Sequence, residues 1–441
     1  MRKLVEATFF LTVLLIGIAF FPALAGAHDQ VPAPPQEGPV LLQGGDLYTV
    51  SGGVLEATDL LFEDGVIQAI GKALEVPEGA EVVDVSGHRV YPGLIAPLTT
   101  LGLTEIGAVR ATRDLEEVGE ITPEVTAHVA YNPDSELIPT VRSHGVTTVQ
   151  VVPQGDLLRG RSMITHLDGW TKEDSAVEMV DALHLTWVPT EVRRGWWIEI
   201  PPEEQEKQMA EARQRLHQAF ADARAYHLAK EADPELPVDL RWEAMRPVLD
   251  GEMPIFIAAD SYRQIVEAVE FARGEGLDLV LTGGADAHLA TDLLVENEVP
   301  VILGTITSLP EREDDDYDLP FRLPSLLHEA GVEFCLSHSN FGGSWDNRNL
   351  PFQAGQAVAF GLPQDAALRA LTLGAAEILG IDDRLGSLEV GKEATLFISE
   401  GDVMDTLTQN VTAMYIEGRP VDLDNRHKEL ERKYRERISR R

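Results

Sequence analysis

His338 closes an apolar run directly after Ser337, and an imidazole there can take or give a proton near neutral pH. Asp260 also follows a short apolar run and is a second catalytic candidate, although no partner for His338 is visible in the sequence. Asp286 and His288 follow a second such run. Asp260, Asp286, His288 and His338 together offer two carboxylates and two imidazoles, a donor set for a divalent metal if the four converge. The Asp286-x-His288 spacing serves one ion only in an extended segment; otherwise Asp286 caps a helix start and His288 is solvated. Arg159 and Arg161 flank Gly160, and two guanidinium groups at that spacing can hold a substrate carboxylate. His166 follows closely and joins them as a candidate substrate-binding residue; the alternative is a surface loop whose arginines pair with local acids. His128, His144, Asp168 and His184 lie in the same half of the chain. Cys335, Ser337 and Ser339 are nucleophile types, but no Gly-x-Ser-x-Gly elbow surrounds them.

These residues need a scaffold, and the middle of the chain supplies an alternating one. Short β runs at 90–95, 147–152, 254–258, 277–281, 300–303 and 332–336 alternate with helical patterns at 264–273, 290–296 and 365–379. Such alternation predicts a parallel sheet with helices outside it. A closed (β/α)8 barrel fits better than an open doubly wound sheet, because no Gly-rich phosphate loop follows an early strand. Strand-and-turn segments flank this region at 40–88 and 394–419, and neither holds enough strands for a core of its own. Pairing them predicts one small β-sandwich from both chain ends. The stretch 201–231 is rich in Glu, Gln, Ala, Arg and Lys and predicts a long solvated helix inserted into the barrel.

The chain has 441 residues, 44% hydrophobic and 25% charged, ordinary for a globular protein of more than one core. Its net charge of -37 argues against nucleic-acid binding and against anionic membrane surfaces, and favours solubility. Arg2 and Lys3, the apolar run Phe9 to Phe21, Pro22 and Ala23-Leu24-Ala25 have the order of a signal peptide, which predicts export to the periplasm or beyond. With Cys335 as the only cysteine, no internal disulfide can form. The predicted organisation is a signal peptide over 1–25, a linker over 26–38, a composite β-sandwich over 39–90 and 384–422, a barrel over 91–383 with its insertion at 201–231, and a charged tail over 423–441.

Tyr91-Pro92-Gly93-Leu94-Ile95, directly after the first strand-rich segment, resembles the first barrel strand of the amidohydrolase superfamily, in its imidazolonepropionase-like and dihydroorotase-like branches. The Glu63 to Gly71 hairpin, the helical tract Leu368 to Gly380 and the return Leu385 to Ala394 resemble that family in the same order. The resemblance implies a metal-dependent barrel plus the split β-domain, and hydrolysis of C–N bonds by a metal-activated water. It also implies ligands that this sequence lacks. Where the family's first strand ends Asp-x-His-x-His, this chain has Ala96, Leu98 and Thr100. The two downstream His positions hold Ala258 and Gly283, the final Asp position holds His338, and no lysine stands where a bridging carbamate is expected. Side chains such as these cannot replace carboxylate and imidazole donors.

Three readings follow. The chain is a non-catalytic member that binds a ligand or partner; or a hydrolase with a relocated metal at Asp286 and His288 or a metal-free acid–base pair; or a scaffold subunit docked on an active homologue. No cofactor is expected unless zinc or another divalent metal occupies a relocated site. The expected partners are a small molecule and a homo-oligomer or hetero-oligomer, with no nucleic acid and no membrane after signal cleavage.

Overall fold

The computed structural model describes residues 31–195, 197–338 and 344–440. The expected signal peptide and Ser339 lie outside the described residues. No described helix is long and apolar enough to cross a membrane.

Strands from both chain ends meet in one eight-stranded sheet. Leu396–Ser399 lies antiparallel to Arg89–Pro92, with Phe397 opposite Tyr91. The hairpin between Val54–Glu63 and Val66–Gly71 turns on Asp64 and Gly65, both at positive φ (51° and 77°), as a tight two-residue turn requires. Phe62 and Tyr415 sit on strands several positions apart along the sheet, yet their ring centroids are 5.0 Å apart. The sheet therefore curls over a core of its own, built on Leu42, Leu60, Phe62, Leu396 and Tyr415.

The Pro-rich stretch expected as a free linker is docked where it is described. Ala33 is buried and its N–H donates to Asp168 (3.2 Å), and Gln36 Oε1 accepts from Gly65 N (2.8 Å). Side chains satisfy backbone groups that the prolines keep out of a ladder.

The chain enters the barrel at Gly93, where a Cβ would run into Thr147. The strands are Leu94–Thr99, Val146–Val151, Leu158–Arg161 continuing as Met163–His166, Leu183–Thr186, Ile255–Ala259, Leu279–Gly283, Val301–Leu303 and Phe334–Leu336. Their near-continuous apolar character suits strands buried on both faces. Ile95, Ile164, Phe256, Val280, Ile302 and Cys335 pack in one cluster, so the strands turn a common face inward.

One strand departs from the expected parallel order. Leu158–Arg161 runs antiparallel to Leu183–Thr186, and Met163–His166 antiparallel to Val146–Val151. The strand changes neighbours at Ser162, and this reversal decides where its two ends point.

The helices close the outer layer. Tyr262–Glu275 starts with a Ser261/Gln264 capping box and stops at Gly276, which takes the left-handed conformation (φ 67°). The expected 365–379 helix is two helices, Gln364–Leu371 and Leu373–Leu379, broken at Thr372. The insertion forms the helix Pro202–Ala232, but it is not wholly solvated: Leu216, Ala219, Phe220 and Ala223 are buried in the main core. The charged tail forms Arg426–Ser439, with no buried residue.

Candidate functional site

A cavity of about 500 Å³ opens at the C-terminal ends of the parallel strands, the end where barrel sites lie. Thr99, Ala258, Gly283 and His338 reach it from the ends of their strands. Arg159 reaches it from the start of its own strand, because that strand runs the other way.

Leu98, Thr100, Ala258, Gly283 and His338 all line this cavity. The positions at which the resemblance expects metal donors therefore do converge, but they carry few donors. Leu98 takes φ 59° and packs against the barrel interior. At Gly283 a side chain is excluded outright. Its φ is 90°, and a Cβ there would overlap the Asp260 carboxylate, with Cγ 3.1 Å away. Asp260 occupies the space in which a side chain at position 283 would begin. These residues do not fit a divalent metal bound in the family's manner.

Of the four residues expected to form a relocated metal site, Asp260, Asp286 and His338 line the cavity and His288 does not, and their donor atoms do not gather within 4.8 Å of one another. Asp286 is committed elsewhere: it accepts from Tyr262 N (3.0 Å) and from Arg312 Nη1 (2.7 Å). Burial alone would raise its carboxyl, but these bonds hold it below the usual range. His288 sits in the tight turn Ala287–Leu289, not in an extended segment, and does not line the cavity. Burial pushes its ring down, as it does that of His338. His338 Nδ1 is buried with no hydrogen-bond partner among the described residues. Asp260 faces the cavity's water between protein walls, and that burial pushes its carboxyl up.

The substrate-binding trio also separates. Arg159 lines the cavity, and its guanidinium makes no hydrogen bond or ion pair with any described residue; Nε is buried without a partner. Burial pushes its pKa down to about 10, so it stays charged at neutral pH. Arg161 does not line the cavity and donates to Glu124 O (3.5 Å). The backbone turns at Gly160 (φ 102°), so the two arginines do not form a pair of arms.

His166 ends the same strand at the other end of the barrel, roughly 23 Å from Arg159 at 3.3 Å per residue. Nε2 of His166 lies 3.2 Å from Glu393 Oε2, and Nδ1 lies 3.1 Å from Thr148 Oγ1. His166, Glu393 and Glu417 form the one group of three ligand-type side chains among the described residues whose donor atoms all lie within 4.8 Å. That group does not support the expectation that no cofactor is held unless a relocated site at Asp286 and His288 takes a divalent metal. Arginines compete for it: Arg384 pairs with Glu393 (2.6 Å) and Arg419 with Glu417 (3.3 Å). Beside it Asp168 is buried between Arg142 (3.3 Å) and Arg419 (2.8 Å), which ties the β-domain to the barrel. A metal there would be structural and remote from the cavity.

Sequence reasoning missed two features. Glu311 lines the cavity beside Asp260, and burial together with Asp260 and Asp286 pushes its carboxyl up. A buried polar chain crosses the barrel interior. Gln150 Nε2 donates to Asp181 Oδ2 (2.6 Å), and His184 Nε2 lies 2.7 Å from Ser162 Oγ. Burial raises Asp181 to about 6 and drives His184 far down. None of these four lines the cavity, so the serine is no accessible nucleophile. An acid directly ahead of an apolar strand, as in Asp181-Ala182-Leu183, is the one signal that could have found it.

The amidohydrolase family model matches residues 323–421, the last barrel strand through the return to the β-sheet. The imidazolonepropionase of Syntrophobacter fumaroxidans is 26% identical over 403 residues, covering 81% of this chain and 85% of its own. By these likenesses the chain is similar to the amidohydrolase superfamily, over 323–421 by the family model and over most of its length at 26% identity. The amidohydrolase tasK of Hapsidospora irregularis is 22% identical over 378 residues, 78% of this chain; the chain spans only 38% of that relative's length. The crystal structure of an amidohydrolase from Thermotoga maritima superposes with a TM-score of 0.78 at 24% identity, covering 87% of this chain and 99% of its own, and shows the same fold. Members of the amidohydrolase family usually depend on a metal.

Proposed function

We propose that this protein is an exported, small-molecule-binding member of the amidohydrolase superfamily that has lost the metal-dependent hydrolysis of its relatives. The observation that carries the reading is Arg159. It brings a guanidinium that is unpaired among the described residues to the wall of a cavity whose expected metal positions hold Leu98, Thr100, Ala258 and Gly283. A buried charge without a partner is destabilising, so a site that keeps one is organised for an anion from outside. A volume of about 500 Å³ suits a small molecule. The basic, apolar and Ala23-Leu24-Ala25 segments of the N-terminus support export.

The test is metal analysis of protein purified without chelators, together with calorimetric titration of N-acetyl-L-leucine as an anionic probe. The expected result is no cavity-bound metal, no hydrolysis of the probe, and binding that Arg159→Met abolishes. Stoichiometric metal whose removal abolishes hydrolysis of N-acyl amino acids would overturn the reading. Sequencing the N-terminus of secreted protein tests export; an intact Met1 refutes it.

A further inference from the structure

The cavity is charged on two sides. Arg159 supplies the positive wall. Asp260 and Glu311 supply a negative one, and neither has an ion-pair partner among the described residues. The other acids of this rim are taken: Arg312 holds Asp286 (2.7 Å) and Asp315 (3.0 Å). Arg159 belongs to a strand separated from Ile255–Ala259 by one intervening strand, Leu183–Thr186, and Asp260 follows Ile255–Ala259 three to four residues beyond the level of Arg159, so their backbones stand roughly 15 Å apart.

Resting on the anion-binding reading above, we infer that the cavity takes a zwitterion of amino-acid or dipeptide size, its carboxylate on Arg159 and its ammonium on Asp260 and Glu311. The match is one of charge and length. An extended dipeptide spans about 7 Å between its ends. The arginine stem covers the remaining distance. Each wall carries an electrostatic penalty that the opposite end of such a ligand would relieve. Burial destabilises the Arg159 cation, and burial plus neighbouring acids destabilise the two carboxylates. A simple anion would satisfy one wall and leave the other repelling it.

The experiment uses the full protein after EDTA treatment and three matched probes: glycyl-L-leucine, its N-acetyl derivative and its C-terminal amide. Calorimetry should show the zwitterion binding at least tenfold more tightly than either blocked form. Asp260→Asn should lower glycyl-L-leucine affinity to that of the acetylated probe, whose own affinity stays unchanged and reports an intact fold. Arg159→Met should abolish binding of both. Equal affinity for glycyl-L-leucine and its acetylated form would overturn the zwitterion and leave the anion site standing. Failure of all three probes would overturn both readings. Binding that disappears on EDTA treatment and returns with a divalent cation would overturn the ammonium contact in favour of a metal bridge.

Discussion

Replacing Arg159 by methionine should make the ligand-free protein more stable. Removal of a charged residue usually breaks a contact, but here no contact is present to break: the guanidinium has no partner among the described residues. Burial has pushed its pKa from the ordinary arginine range to about 10. A drop of that size disfavours the cation by roughly 3 kcal/mol, at about 1.4 kcal/mol per tenfold. Water entering the cavity reduces this, so the gain should be about 1–3 kcal/mol, with methionine keeping most of the stem's packing. For a protein of this length the melting temperature should rise by about 1–3 °C. The pH dependence follows from the sign. A cation whose folded pKa is depressed is penalised in full below that pKa, so the gain should be constant from pH 6 to 9. It should shrink above pH 10, where the native arginine releases its proton. Differential scanning calorimetry of both proteins without ligand measures it. A fall in melting temperature for Arg159→Met would refute the argument, because it would mean that the guanidinium is held from within.

Three further outcomes follow from the same geometry. Gly283→His should lower stability by more than about 2 kcal/mol, because a side chain there meets both an unfavourable φ and the Asp260 carboxylate; thermal melts and metal analysis of Leu98→His/Gly283→His should show loss of stability without metal uptake. Asp181, raised to about 6, contributes a stability difference relative to Asp181→Asn that is lost as pH rises from about 4 through 6; urea melts at pH 4, 5, 6 and 7 should show the variant gaining on the wild type over that window and level above it. Asp168→Asn should cost about 3–5 kcal/mol in chemical denaturation, since it leaves Arg142 and Arg419 facing each other without the buried carboxylate between them.

The barrel was legible because its strands are apolar on both faces and its helices carry ordinary caps, so short-range pattern decides them. That the two strand-rich ends join followed from counting strands too few to stand alone, but the strand that joins Leu396–Ser399 is Arg89–Pro92, most of which the apolar pattern assigns to the barrel strand 90–95. The reversed third strand was not legible. Apolar alternation is the same in either direction, and only pairing with both neighbours fixes which end of Arg159-to-His166 faces the cavity. That one reversal separated Arg159 from His166, which sequence spacing had put together. That positions 98, 100, 258 and 283 come together at one cavity was legible, because they sit at or next to strand ends and sequence position converts to spatial position there. The left-handed turn at Gly283 that lets Asp260 fill the space is a backbone property, and a single glycine letter does not distinguish it from an ordinary one.

Charge balance sharpens the meaning of the unpaired arginine. The chain carries 73 acidic and 36 basic residues, so a carboxylate is the most available partner in the molecule. Arg142 and Arg419 share Asp168, Arg384 takes Glu393, and Arg312 takes two aspartates. Arg159 goes without one among the described residues, although Asp260 and Glu311 line the same cavity. Opposite charges on the walls of one cavity that can reach each other collapse into a pair. These are held apart by a barrel whose strands fix both anchor points, with open space between them. A separation of unlike charges maintained by a rigid scaffold is the electrostatic counterpart of a shaped hole: it is relieved by a molecule that carries the complementary separation.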